Sequence, residues 1–102
     1  MDKFYALSAP IRREIIALLA DGDQLSATAI ADKFRVSPPA ISQHLKVLLN
    51  TKLVSMHKQA QQRIYELNPE AMFELEAWAK QMVKHFDSAG DLINKKDTKP
   101  VL

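Results

Sequence analysis

The stretch SPPAISQHLKVL, residues 37–48, gathers Ser37, Ser42, Gln43, His44 and Lys46 within ten positions. Hydroxyl and carboxamide groups both donate and accept hydrogen bonds, and Ser and Gln side chains read base edges when carried on a helix in a major groove. Lysine adds a point charge suited to phosphate. Projected as a helix at about 100° per residue, Ile41, Leu45 and Leu48 fall on one side and Pro39, Ser42, Gln43 and Lys46 nearly opposite. The apolar set is expected to be buried, leaving the polar set exposed as a reading face. Pro38 and Pro39 fit the first turn of such a helix, where N–H groups have no intrahelical partner, and they fix its entry rigidly. Ser37 is the expected cap, and the helix start around it is expected to favour a phosphate. Lys46, Lys58 and Arg63 are placed to reach the nucleic-acid backbone on either side.

Charge distribution points the same way. The net charge is only +2, but from Lys33 to Tyr65 there are six basic residues (Lys33, Arg35, Lys46, Lys52, Lys58, Arg63) and no Asp or Glu. All twelve acidic residues lie outside that window, so the middle of the chain carries +6 and the flanks together −4. Such separation suits a surface that meets a polyanion.

Enzyme chemistry finds no support. With Gly22 and Gly90 the only glycines there is no phosphate-cradling loop, and there is no nucleophile–base pair or metal triad. The chain has no cysteine, which excludes disulfides and thiolate sites. The three histidines are scattered. His44 sits at the flank of the reading face and is expected to hydrogen-bond within the protein. His57 is expected at the surface, and His85, close to Asp87, in solvent. Arg12 is expected in a structural ion pair, with Arg13 undecided beside Glu14. No apolar run reaches the roughly 18 residues of a membrane span, and no basic-then-apolar leader opens the sequence. A cytoplasmic protein without a membrane partner is expected.

The elements that must position these residues follow from periodicity. Pro10 opens a helix with Ile11, Ile15, Leu18 and Leu19 on its apolar face, ended by Asp21-Gly22. Ser26 caps a short helix with Ile30 and Phe34 buried, and Arg35-Val36 is the turn before the reading helix, which runs to about Asn50. Leu53–His57 and Arg63–Leu67 read as strands. Lys58–Gln62 link them, and without a glycine a loop longer than two residues is expected. Asn68-Pro69 opens a long last helix. The reading is mainly α with a small antiparallel β-hairpin, a winged helix-turn-helix in the order α-α-α-α-β-β-α. Residues 1–94 form the DNA-binding domain with its terminal dimerisation helices, and 95–102 a flexible tail. At 102 residues the chain makes one small domain, burying only about 60–65% of its extended-chain surface.

In the last helix Met72, Leu75, Ala79, Met82, Phe86, Ala89 and Ile93 recur at spacings of three and four, a heptad seam. Trp78 and Val83 widen it past one stripe, so cover is needed on more than one side. A second chain is the expected cover, with Phe4, Tyr5 and Leu7 contributing. Two reading helices related by a two-fold would meet a palindromic site in double-stranded DNA.

From Leu7 to Leu67 the chain resembles the ArsR-type family of bacterial winged-helix repressors. The resemblance rests on ALSAPIRREIIALL with Arg12, on IADKFRVSPPAISQHLKVL with Ser37, Ile41, Ser42, His44 and Leu45, and on LVSMHKQAQQRIYELNPEA. It implies a homodimeric DNA-binding repressor built on its first and last helices, with Pro38, Pro39, Ser42 and Gln43 at the positions that meet DNA. The look is that of the autorepressor-like branch without thiolate sites. The cysteines of arsenic and cadmium sensors fall on Ser26 and Thr28. The zinc-sensor ligand positions fall on Glu74, Glu76, Asp87 and Gly90, where no imidazole remains, so no metal or other cofactor is expected. The family's usual Gly-Arg wing tip is absent. A small-molecule or protein inducer is left open. The competing reading is a winged-helix module used for protein or RNA contacts.

Overall fold

The computed structural model describes residues 1–22 and 24–88. In chain order the elements are α1 (Lys3–Ala6), α2 (Pro10–Ala20), β1 (Leu25–Ser26), α3 (Ala27–Ala31), α4 (Pro38–Asn50), β2 (Val54–Gln59), β3 (Gln62–Leu67) and α5 (Pro69–Ser88). They form a winged helix-turn-helix in which α3 and α4 are the helix pair and β2 and β3 the wing. The chain divides into two units, one ending at Ala71 and the other starting at Met72.

In the first unit, every helix start has its own local cause. Asp2 accepts from the Tyr5 N–H at 2.9 Å and caps α1. Pro10 stands in the first turn of α2 and Pro38-Pro39 in that of α4. Ser26 Oγ accepts from the Ala29 N–H at 3.0 Å and caps α3. Ile15, Leu19, Ile30, Ile41, Leu45, Leu48 and Leu53 are the largest fully buried side chains and make the core between α2, α3, α4 and the sheet. Phe34 lies past the end of α3 and is half-buried, because α3 stops at Ala31, three residues short of it.

The sheet has three strands rather than the two of a simple hairpin, in the order β1-β3-β2, all antiparallel. The added strand is two residues long, with Leu25 opposite Tyr65 and Ser26 opposite Ile64. Gln24 supports it by donating from Nε2 to Glu66 Oε1 at 3.0 Å. The link between β2 and β3 also differs from the longer loop expected. Gln59 faces Gln62 in the ladder, so only Ala60 and Gln61 make the turn. Ala60 supplies the left-handed geometry itself, at φ 58°. That conformation costs a non-glycine residue about 1–2 kcal/mol.

Helix α4 ends in a Schellman motif. The Leu53 N–H donates to Leu48 O at 3.0 Å and the Lys52 N–H to Leu49 O at 3.1 Å. Buried Thr51 Oγ1 donates to Val47 O at 2.9 Å. Lys52 takes the left-handed position at φ 65°. Asn68 fastens the next junction: its Nδ2 donates to Lys52 O at 2.8 Å and its Oδ1 accepts from the Glu70 N–H at 3.2 Å.

In the second unit, the described residues belong to α5. Phe73, Trp78, Met82, Val83 and Phe86 are exposed there. Ala89, Gly90 and Ile93, and the expected tail 95–102, lie outside the described residues, as does the Asp87 side chain. No helix among the described residues is long and apolar enough to cross a membrane.

Lys52→Gly should raise unfolding stability by about 0.5–1 kcal/mol, since glycine holds φ > 0 without the steric penalty. Urea unfolding of the two proteins checks this, and Lys52→Val should shift stability the other way.

Candidate nucleic-acid interface

Helix α4 presents two chemically distinct sides. Ile41, Leu45 and Leu48 are buried, whereas Ser37, Pro38, Pro39, Ser42, Gln43 and Lys46 are exposed. The split expected from helical projection is therefore the one observed. The helix start does not offer an anion nest, however. Pro38 and Pro39 have no N–H, the Ala40 N–H goes to Ser37 Oγ at 3.3 Å, and the Ile41 N–H goes to Ser37 O at 3.1 Å. What remains for a phosphate there is the Ser37 hydroxyl proton, which the cap leaves unused because Oγ acts as acceptor.

Across from α4 stands the wing. Lys58 and Arg63 are direct partners in the β2–β3 ladder, and Met56 pairs with Tyr65 on the same face. Both side chains are exposed, so the pair sets two positive charges side by side on the wing. Ser42, Gln43, Lys46, Leu49 and Asn50 from α4 and Met56, Arg63 and Tyr65 from the wing line one groove of about 390 Å³. The structure thus brings together Ser42, Gln43, Lys46 and Arg63, and places Lys58 beside Arg63. Asn50, Met56 and Tyr65 were not singled out in the sequence. The signal was present for the strand residues, since Met56 and Tyr65 share a face with Lys58 and Arg63 by the two-residue period.

Against the flank of α4 lies a buried arginine. Arg12 is 7% exposed. Its Nε donates to Ala6 O at 2.7 Å, its Nη2 to Tyr5 O at 3.3 Å, and its Nη1 reaches His44 Nδ1 at 3.1 Å. The guanidinium also lies over the Tyr5 ring, 5.2 Å from the centroid. The ion pair expected for Arg12 is therefore replaced by two carbonyls, an imidazole and a phenol ring. Glu14 is exposed. Arg13 Nη1 donates to Leu7 O at 2.6 Å. His44 does hydrogen-bond within the protein, as its flank position suggested. A guanidinium only donates, so Nδ1 must accept and the ring is neutral with its proton on Nε2. Burial, and then the Arg12 charge, hold the His44 pKa below its ordinary 6.5. His57 is exposed on the wing and His85 on α5, and among the described residues no three His, Asp or Glu side chains come together to hold a metal.

Residues 9–56 match the profile described as bacterial regulatory protein, arsR family. The transcriptional repressor SdpR of Bacillus subtilis is 35% identical over 85 residues, spanning 83% of this chain and 93% of that protein. The chain belongs to the ArsR family. The arsenical resistance operon repressor of Staphylococcus xylosus is 39% identical over 64 residues, 63% of this chain and 61% of that protein. Among solved structures, an ArsR-like transcriptional regulator from Rhodococcus sp. RHA1 superimposes with a TM-score of 0.77 at 26% identity, over 90% of this chain and 84% of that one. This ArsR-family protein is a DNA-binding transcriptional regulator and not an enzyme.

The neutral His44 has a consequence for stability. Its folded pKa lies below the unfolded value of 6.5, so between the two the unfolded chain binds more protons. Stability contributed by this group is complete above 6.5 and is lost as pH falls toward the lower folded value. Urea unfolding at pH 7.5 and 5.5 should show a larger acid loss for the wild type than for His44→Asn, which keeps an acceptor and cannot titrate.

Proposed function

We propose that the protein is a cytoplasmic homodimeric repressor that occupies a palindromic operator. Ser42 and Gln43 read base edges in the major groove, with Pro38 and Pro39 shaping the approach of the helix start. Ser37, Lys46, Lys58 and Arg63 hold the phosphate backbone. The observation that carries this reading is the single groove in which the exposed Ser42, Gln43 and Lys46 of α4 face Arg63 of the wing. The acid-free window from Lys33 to Tyr65 supports it, because nothing acidic there opposes a polyanion.

The second copy accounts for apolar surface that a monomer would leave in water. Tyr5 on α1 is 50% exposed and Phe86 on α5 is 53% exposed, and Phe4, Phe73, Met82 and Val83 are exposed as well. Of the other seam positions, Ala79 is exposed and Met72 and Leu75 are half-buried. A symmetric pair of such chains sets two recognition helices about one DNA turn apart, ~34–36 Å. Binding needs no metal in this reading, because the family's thiolate positions hold Ser26 and Thr28, and its zinc-ligand positions hold Glu74, Glu76, Asp87 and Gly90 with no imidazole among them.

Binding-site selection from random duplex DNA, with and without a chelator, tests the proposal. A palindromic consensus that survives chelation is expected. Absence of enrichment, or equal retention of duplex RNA, would remove it. On the selected operator Gln43→Ala should cost about 1–3 kcal/mol and relax one base preference. Lys46→Ala should weaken binding on every sequence and flatten the log–log salt slope by about 0.9. Phe86→Glu should shift sedimentation from dimer to monomer.

A further inference from the structure

We infer that Arg12 is a positioning residue for DNA recognition: through His44 it holds α4 against α1, so that Ser42 and Gln43 meet the bases at a fixed angle. The inference rests on the DNA-reading role proposed for α4 and adds a part of the machinery that touches no DNA.

The energetics of Arg12 favour position over stability. Burying a guanidinium costs several kcal/mol, and an apolar side chain of similar volume is often as good or better for stability. Arg12 has no carboxylate among its hydrogen-bond and ring contacts: Tyr5 O, Ala6 O, His44 Nδ1 and the Tyr5 ring are all neutral. What the guanidinium offers instead is a rigid planar fork whose donors leave in fixed directions. Three of those donors land on two elements, α1 and α4, from a third, α2. Arg13 also reaches the α1 C-cap, donating to Leu7 O at 2.6 Å, but of these two arginines only Arg12 joins α1 to α4. α1 is four residues long, too short to hold its place by helicity alone.

His44 is the point of attachment on the recognition helix, one residue after Gln43 and two after Ser42. A base contact fails when its geometry drifts by a few tenths of an ångström, since hydrogen bonds need about 2.7–3.2 Å and near-linear donors. The phosphate contacts expected of Lys46, Lys58 and Arg63 run through long flexible side chains and tolerate such drift. Loss of the Arg12–His44 link should therefore cost operator affinity and spare binding to random DNA. A role limited to stability would weaken both in step with folding.

Three full-length variants test this against the selected operator and a random duplex. His44→Leu removes the acceptor, His44→Asn restores one at the Nδ1 position, and Arg12→Lys keeps the charge without the fork. The ratio of operator to random-DNA affinity should fall roughly three- to thirtyfold in His44→Leu and Arg12→Lys and return to near wild type in His44→Asn. A ratio unchanged within twofold in a folded His44→Leu, or a loss shared equally by both duplexes, overturns the inference. If the wild type itself shows no preference for any duplex, the DNA-reading role fails first and takes this inference with it. A readout independent of the variants is the long-range ¹⁵N–¹H spectrum of the wild-type imidazoles at pH 7.5. Here His44 should show the Nε2–H tautomer, and an Nδ1–H or doubly protonated ring would break the link outright.

Discussion

A recognition helix is useful only if its orientation is settled before DNA arrives, and α4 is constrained along its whole length. At its start Ser37 caps Ala40 while two prolines freeze the first turn. At its end Thr51 and the Leu53→Leu48 and Lys52→Leu49 hydrogen bonds close it. Between them Ile41, Leu45 and Leu48 sink into the core and His44 meets Arg12. The prolines answer a design problem with a cost. They remove N–H donors that other helix starts use to grip anions, so in the proposed complex the phosphates are left to side chains on the helix and the wing.

That transfer divides the labour of the surface. The face proposed to meet bases is made of uncharged Ser42 and Gln43, whereas charge is placed one turn on, at Lys46, and across the groove at Arg63 and Lys58. Lys58 and Arg63 stand opposite each other in the ladder, so two exposed cations share one side of the wing. The wing tip itself is neutral, Gln59 to Gln62 around a two-residue turn. The nearest cations, Lys58 and Arg63, lie one residue back from it along the two strands.

Much of this was legible in the sequence, and the exceptions have physical causes. Helix starts at Pro10, Ser26 and Ser37 were readable because caps and first-turn prolines are local chemistry. The burial of Ile41, Leu45 and Leu48 followed from helical period. β1 was invisible because two residues, Leu25 and Ser26, are too few to show alternation, and they become a strand only through β3. The tight turn was missed because the expected marker, glycine, is replaced by Ala60 in a strained conformation that the ladder on either side imposes. The partners of Arg12 are not legible in the sequence, because one of them, His44, is 32 residues away and the others are main-chain carbonyls rather than a carboxylate. Helix α2 turns Arg12 inward and Glu14 outward, and sequence neighbours on a helix do not face each other.

The central claim is that α4 and the wing, rather than any other surface, carry the contact with DNA. Amide and side-chain shifts of the isotope-labelled full-length protein, followed by NMR during titration with its selected duplex, test it most directly. The account predicts that the largest changes fall on Ser37, Ser42, Gln43, Lys46, Lys58 and Arg63. Changes confined to α5 or α2, with the groove residues unmoved at saturation, would contradict it.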